Sequence, residues 1–459
     1  MKNFDKFGLS VPQILLPRNS GDLKSWAVIA CDQYTQDRGY WKKAEAAAAG
    51  NPSALNLILP EVYLNDADKS ERIAEIHRCM EAYLKSGVFA DPFEGFIYLE
   101  RTTEYGRVRK GLIAAVDLET YEWKPFSAAL IRATEATIPE RIPPRMEIRR
   151  GAALELPHIM LLVNDPERTL VEACGTAVKN GCTPLYDGEL MLGAGRLAGY
   201  GVAGAALDGV AAALEKLSAA NTAADGSVFL FAVGDGNHSL ATAKAVWDEY
   251  KRSLTASGAT DGQLKQSPVR YALVEIVNIY DDGLTFEPIH RVLFNVDPEK
   301  LLAYCAEQLG GTVTECPSAD ALASNVGVCG RPHESGASFG FVYPDEQGNA
   351  RYFCLKTAVT ELAVSRLQPV LDVFLKAAEM GAAYNSKDVP EIDYIHGSEE
   401  VFRLGAQRNA CAILLPPIAK ESFFSTIAEC GPLPRKSFSM GEASEKRFYL
   451  EARRLFGDN

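Results

Sequence analysis

No apolar run in the 459 residues reaches the roughly 18 needed to cross a bilayer as a helix. The first ten residues carry Lys2 and Lys6 but neither an apolar core nor a cleavage site, so no secretory leader is expected. The expectation is a cytoplasmic protein that does not engage membranes. Positive charge is not in excess: 47 basic residues face 60 acidic ones, a formal charge of −13. That disfavours nucleic acid as the main partner, because binding its backbone needs a basic field. A small anion remains open, since a few Arg, Lys and backbone N–H groups can hold a phosphate against an acidic background. No G-x-x-x-x-G-K-[ST] segment occurs, so a P-loop kinase is not expected. None of the ten cysteines forms a C-x-x-C pair or takes zinc-finger spacing. They read as buried small apolar groups in reducing surroundings, Cys354 in RYFCL and Cys411 in NACAILL among them. Histidine is scarce, six in all, with no H-x-x-x-H pair to bind a transition metal tightly. His77, His158, His333 and His396 are scattered and read as structural or solvated.

What is present is an ordinary globular composition, 47% hydrophobic and 23% charged, enough for a large core. There is no internal repeat and no low-complexity segment. Trp26–Ala30, Leu55–Pro60, Gly95–Arg101 and Lys110–Leu118 read as strands. Ala67–Gly87 reads as an amphipathic helix, with Ile73, Ile76, Met80 and Tyr83 on one face. His158–Asp165 and Val269–Leu284 read as strands and Asp208–Ala219 as a helix. Pro298–Gly311 reads as a helix ahead of strand-like Gly336–Leu355, which turns near Asp345–Asn349. A helix is expected over Ser365–Met380, strands at Tyr394–Ser398 and Ala410–Pro416, and a final helix from Glu442. Strands and helices mixed in this way point to an α+β fold with mixed sheets. The texture suggests four parts: an N-terminal α+β region at 1–125, a core at 126–296, a small α+β insertion at 297–360 and a C-terminal α/β region at 361–459.

The segment richest in chemistry is SVFLFAVGDGNHSLATAKAVWDEYKRSL, Ser227–Leu254. VFLFAV is a continuous apolar run, as in a strand buried on both faces. Gly234 and Gly236 permit positive φ and close backbone approach. The helix that follows puts Leu240, Ala243, Trp247 and Tyr250 on one face. Its first N–H groups and positive dipole end therefore meet at the end of a buried strand, which makes an anion site. Asp235, Gly236, Asn237, His238 and Ser239 cluster there, more polar chemistry than a plain capped turn requires.

Other polar candidates stand apart in sequence. Arg132, Glu135 and Thr137 lie in IRATEATIPERIPPR: a carboxylate suited to general-base work beside an Arg able to clamp phosphate, or an exposed ion pair. Asp32 and Gln33 follow a buried strand, where functional groups or caps are equally at home. His290 and Arg291 interrupt an apolar stretch, which an anion partner would explain. Lys436 and Ser437 in LPRKSF form another phosphate candidate or a basic surface loop.

G-D-G-N-H-S-L-A-T-A resembles the Asp-Gly-His-His-Arg-x-x-x-Ala signature of the ParB/sulfiredoxin-like superfamily, and most closely the bacterial family catalogued as domain of unknown function 1015. Leu55–Glu61, Arg132–Thr137, Gly283–Leu293 and Leu433–Phe438 resemble further blocks of that family, in its order. Asn237 and Ser239 stand where His and Arg are commoner, which removes one cationic phosphate ligand. The resemblance implies a ParB/sulfiredoxin-like phosphate-binding core with additional α+β elements, and a free-serine kinase making O-phospho-L-serine. It further implies pyrophosphate, ADP or ATP as donor, with Mg²⁺. On that reading Gly236, Asn237, His238, Ser239, Arg132, His290, Arg291, Lys436 and Ser437 surround phosphate. Glu135 or Asp235 takes the hydroxyl proton, and Asp32, Gln33 and Thr137 hold the acceptor. The partners expected are small molecules, and a homodimer is compatible with the sequence. A nucleotide-binding regulator and a phosphoserine phosphatase are the alternatives.

Overall fold

A computed structural model describes residues 3–327, 336–381 and 389–456. His333 lies outside them. The fold is α+β, and the chain divides into two compact units, 1–284 with 441–459, and 285–440. Among the described residues no helix is long and apolar enough to cross a membrane.

The first unit is built on a ten-stranded mixed sheet. Its centre is Met160–Val163, which runs parallel to Tyr271–Asn278 and antiparallel to Phe231–Asp235. Phe231–Asp235 in turn runs parallel to Ile131–Ala133. Met160–Val163 and Phe231–Gly234 are buried throughout, as expected of strands covered on both faces. The pairing of Met160 with Asp235 sets the start of one strand beside the end of the other. Helix Asn237–Ala256 leaves that edge and buries Leu240, Ala243, Val246 and Trp247. Tyr250 is half-buried and meets the Phe456 ring edge-on.

The final residues return to this unit. Phe448–Tyr449 pairs antiparallel with Val28–Ile29, and Arg453–Arg454 with Leu154–Glu155. The helix expected from Glu442 is instead a single 3₁₀ turn, Ala443–Glu445, closed by a Glu442–Glu445 capping box and followed by the strand. Burial of Phe448 and Tyr449 in the sheet overrides local helical pattern. Likewise Leu55–Pro60 is not a strand: Ser53 accepts from Leu55 N–H and caps a 3₁₀ turn at Ala54–Leu57. A buried ionic network fastens the returning segment. Glu275, 1% exposed, accepts from Arg109 Nε at 3.1 Å and Arg447 Nη1 at 3.0 Å. Arg447 also donates to Glu451 at 2.6 Å and to the Pro157 carbonyl at 2.9 Å. Gly111 makes room for this, since a Cβ there would lie 2.5 Å from Glu275 Oε1.

The second unit is a six-stranded antiparallel sheet in the order Thr312–Cys316, Ala350–Lys356, Ser338–Pro344, Ala410–Leu414, His290–Phe294, Glu391–Ile395. Alternation along the strands splits its core. Leu293, Phe341 and Ile413 share one apolar cluster with Leu301 and Leu367 of helices Pro298–Gln308 and Ala363–Gly381. Val292, Val342 and Ala412 share the other with Leu322 and Val401 of helices Ala319–Val326 and Ser398–Gly405. Residues 297–360 are therefore not a self-contained insertion. Their strands are completed by His290–Phe294 and Ala410–Leu414, and both cores need helices from beyond position 360.

Candidate functional site

Gly236 is the hinge between strand and helix. Its φ of +79° lies in the left-handed region, and a Cβ there would meet Ile159 at 3.1 Å. Both features favour glycine. The helix begins at this residue with no side chain capping it, so its positive dipole end lies beside the polar groups that gather around the turn.

Asn237 and His238 look toward the neighbouring segment. Asn237 Oδ1 accepts from Thr134 N–H at 3.2 Å, and His238 Nε2 accepts from Ile138 N–H at 3.2 Å. These bonds pin 134–138 against the helix start. Glu135, half-buried, and Thr137, whose Oγ1 is buried without a hydrogen-bond partner, lie between the two anchors. The Arg132 side chain goes elsewhere. Its Nε donates to the Ala129 carbonyl at 2.9 Å, and its guanidinium covers the Phe229 ring at 4.5 Å, at the beginning of the strand rather than at the turn.

Ser239 and Asp235 meet groups from three other parts of the unit. Ser239 Oγ lies 3.0 Å from His158 Nε2, and Asp32 Oδ2 lies 3.6 Å from the same nitrogen. Tyr449 OH bridges His158 Nδ1 at 2.7 Å and Cys31 Sγ at 3.0 Å. Lys446 Nζ stands 3.3 Å from Asp235 Oδ2, and Asp235 Oδ1 accepts from Gly236 N–H. Gln33 Nε2 donates to Asp32 Oδ1 at 3.0 Å. Tyr34, at φ +50° and stacked on Tyr40, turns the chain just after them. The structure thus brings together Asp32, Gln33, Glu135, Thr137 and the whole 235–239 turn.

Burial works against charge on His158, but the Asp32 carboxylate, and Asp235 behind it, outweigh burial and raise the imidazole above its ordinary value. Burial would likewise raise the Asp32 carboxyl, yet His158 and Lys446 hold it below the usual carboxylate range. Burial pushes the Cys31 thiol up, so it is no thiolate nucleophile. The ion pair has a defined pH window. His158 contributes stability that is complete below about pH 6.5 and fades as pH rises through its raised value. Asp32 contributes stability that is complete above about pH 4 and fades as pH falls through its lowered value. Asp32→Asn removes the main opposition to burial, so the His158 value should drop below that of a free imidazole. Proton NMR of the ring protons over pH 4–9 reads this directly, and an unmoved His158 titration would show that Asp32 does not set its charge.

The remaining candidates belong to the second unit. His290 Nδ1 accepts from Leu415 N–H at 3.0 Å, and burial and Arg291 pull its value down to about 4, so it is neutral. Arg291 is fully buried, donates to Gln368 at 2.8 Å and to the Ile289 carbonyl, and lies over the Tyr394 ring. Lys436 is exposed at φ +57°, and Ser437 is buried and donates to the Pro434 carbonyl. Lys436 precedes the short strand Phe438–Met440 and not a helix.

Residues 15–374 match the family described as protein of unknown function (DUF1015). The chain belongs to this family. Lys446 and Tyr449, two of the groups at the turn, lie beyond the stretch that the DUF1015 model matches. No curated protein matches the chain in sequence. Among solved structures the chain is similar to a conserved hypothetical protein from Pyrococcus furiosus, at 11% identity over 75% of this chain and 97% of that one, TM-score 0.33. It is similar to a free serine kinase in complex with AMP, at 11% identity over 75% and 92%, TM-score 0.35. It is also similar to C-terminally truncated SbnI from Staphylococcus aureus, at 7% identity over 72% and 82%, TM-score 0.34.

Sequence reasoning missed His158, Lys446 and Tyr449. His158 could have been found from its place just before an apolar strand, had the pairing of that strand with Phe231–Asp235 been known. Nothing in the local pattern of Lys446 or Tyr449 announces a site.

Proposed function

We propose that this protein transfers a phosphoryl group to the hydroxyl of a small amino acid, L-serine in the simplest case. The observation that carries the reading is an uncapped helix start at the end of a strand buried from Phe231 to Gly234, with Ser239, Lys446 and the Asp32–His158 pair gathered around it. Phosphoryl transfer asks mainly for positioning and charge neutralisation, which helix N–H groups and a nearby ammonium supply. The acceptor hydroxyl oxygen attacks phosphorus, its proton passes to Glu135, and the bond from phosphorus to the leaving phosphate or nucleotide oxygen breaks. Asp235, Asp32, His158 and Lys446 orient the charged groups around that centre. Among the described residues no group of three or more His, Cys, Asp or Glu is arranged to hold a metal ion. A magnesium ion shared with donor phosphates needs only one or two carboxylates, and Asp235 at the turn, or Asp32, would have to supply them. Such an ion would neutralise charge on the transferring group. Run in reverse, the same site would dephosphorylate phosphoserine.

A serine hydrolase fits less well. In the Ser-His-Asp relay, Ser and Asp use opposite ring nitrogens. Here Ser239 and Asp32 share His158 Nε2, and Tyr449 occupies Nδ1. Calorimetric titration with pyrophosphate, ADP and ATP tests the donor site. Lys446→Ala should weaken the preferred donor by about ten- to a hundred-fold, the range for a charge-assisted hydrogen bond. Unchanged affinity would place the phosphate away from the turn.

A further inference from the structure

Beside the helix start, in the first unit, lies a cavity of about 150 Å³ whose lining includes Ser239, His158 and Tyr449. Much of the rest of the lining is apolar: Leu57, Leu59, Leu64, Met80, Ile148 and Ile159. Apolar cavities of about this size bind benzene-sized solutes. L-serine has no apolar group that would fill it. The cavity lining carries two ion pairs, Arg149 with Glu155 and Arg145 with Glu61; in the second, both Arg145 bonds to the carboxylate go to the single oxygen Oε1. A guanidinium and a carboxylate side by side complement the carboxylate and ammonium of an α-amino acid.

We propose that this cavity receives the side chain of the acceptor, and that the preferred acceptor is a β-hydroxy-α-amino acid bearing a bulky apolar β-substituent. The hydroxyl then lies at Ser239 and His158, the zwitterion at Arg145 and Glu61, and the substituent among the leucines. The choice of acceptor rests on the phosphotransferase reading, whereas the existence of an apolar amino-acid pocket does not.

Two measurements separate these claims. Initial rates are compared for L-serine, L-threonine and L-3-phenylserine with a saturating donor. The bulky acceptor should have kcat/KM about tenfold or more above L-serine, as burial of a ring implies. Ala152 lines the cavity and is buried. Ala152→Leu should erase that advantage, bringing the two kcat/KM values together. Leu64→Phe, at a half-buried wall position, should act in the same direction and guards against misfolding of the first variant. Equal or better kcat/KM for L-serine in the wild-type protein overturns the proposal and leaves the phosphotransferase reading intact. If no acceptor is phosphorylated by any donor, that reading fails, and calorimetry with L-phenylalanine, which has no hydroxyl to react, decides the pocket. Binding that Ala152→Leu abolishes supports an apolar amino-acid site; absence of binding overturns it.

Discussion

Glu135→Gln is expected to cut phosphoryl transfer by about 10²–10⁴-fold, the usual cost of losing a general base, while donor affinity stays near that of the wild type. The amide keeps the shape of the carboxylate and removes only its charge, so misfolding will not imitate the effect. The expectation follows from where the backbone around Glu135 is held. Thr134 on one side and Ile138 on the other are bonded to Asn237 and His238, which fixes the intervening backbone at the helix start. His238→Ala should behave differently: loss of the anchor at Ile138 loosens the segment, so donor KM rises and kcat falls together. Initial-rate kinetics with donor and acceptor varied separately distinguish the two patterns. A Glu135→Gln enzyme with near-wild-type kcat would pass the role of base to Asp235 or Asp32, to be tried as asparagine variants in that order.

Glu275→Gln is expected to destabilise the first unit by about 3–5 kcal/mol, the range for breaking a buried ion pair from one side. The carboxylate is buried, and Arg109 and Arg447 both converge on it. Removing its charge leaves two guanidiniums in the interior with one fewer counter-charge. The effect should reach the site, because Arg447 also holds the Pro157 carbonyl next to His158. Urea unfolding followed by tryptophan fluorescence measures the loss. A change below about 1 kcal/mol would mean that Glu451 alone compensates Arg447, and that the network orders the returning segment without stabilising it.

Much of this architecture was legible in the sequence because it rests on local signals. The unbroken apolar run before Gly234, two glycines and a 3.6-residue apolar period located the strand, turn and helix at 231–256, and Gly236 does adopt the left-handed conformation there. The central strands at 160–163 and 271–278 were visible for the same reason. What was illegible depends on pairing between distant segments. The strand at Phe448–Tyr449 is two residues long and exists because Val28–Ile29 is there to pair with it. Without that pairing, Glu442 onward reads as a helix, and Lys446 and Tyr449 carry no hint of a site. His158 was passed over because a lone histidine before an apolar strand is ordinarily structural. Its importance comes from Ser239, Asp32 and Tyr449, which lie 81, 126 and 291 positions away in the chain. The division at 284 and 440 was hidden for a related reason: the second sheet takes strands from both sides of position 360.

The central claim is that the turn at Asp235–Ser239 serves phosphoryl transfer to an amino-acid hydroxyl. It is tested most directly by ³¹P NMR of the purified protein with Mg²⁺, either L-serine or L-3-phenylserine, and pyrophosphate, ADP or ATP supplied in turn. The account predicts a phosphomonoester resonance with at least one pairing, growing with time, and reduced by about 10²–10⁴-fold in rate with Glu135→Gln. No phosphomonoester with any donor and either acceptor, from protein that still binds nucleotide at the turn, would contradict it and favour a nucleotide-binding regulator.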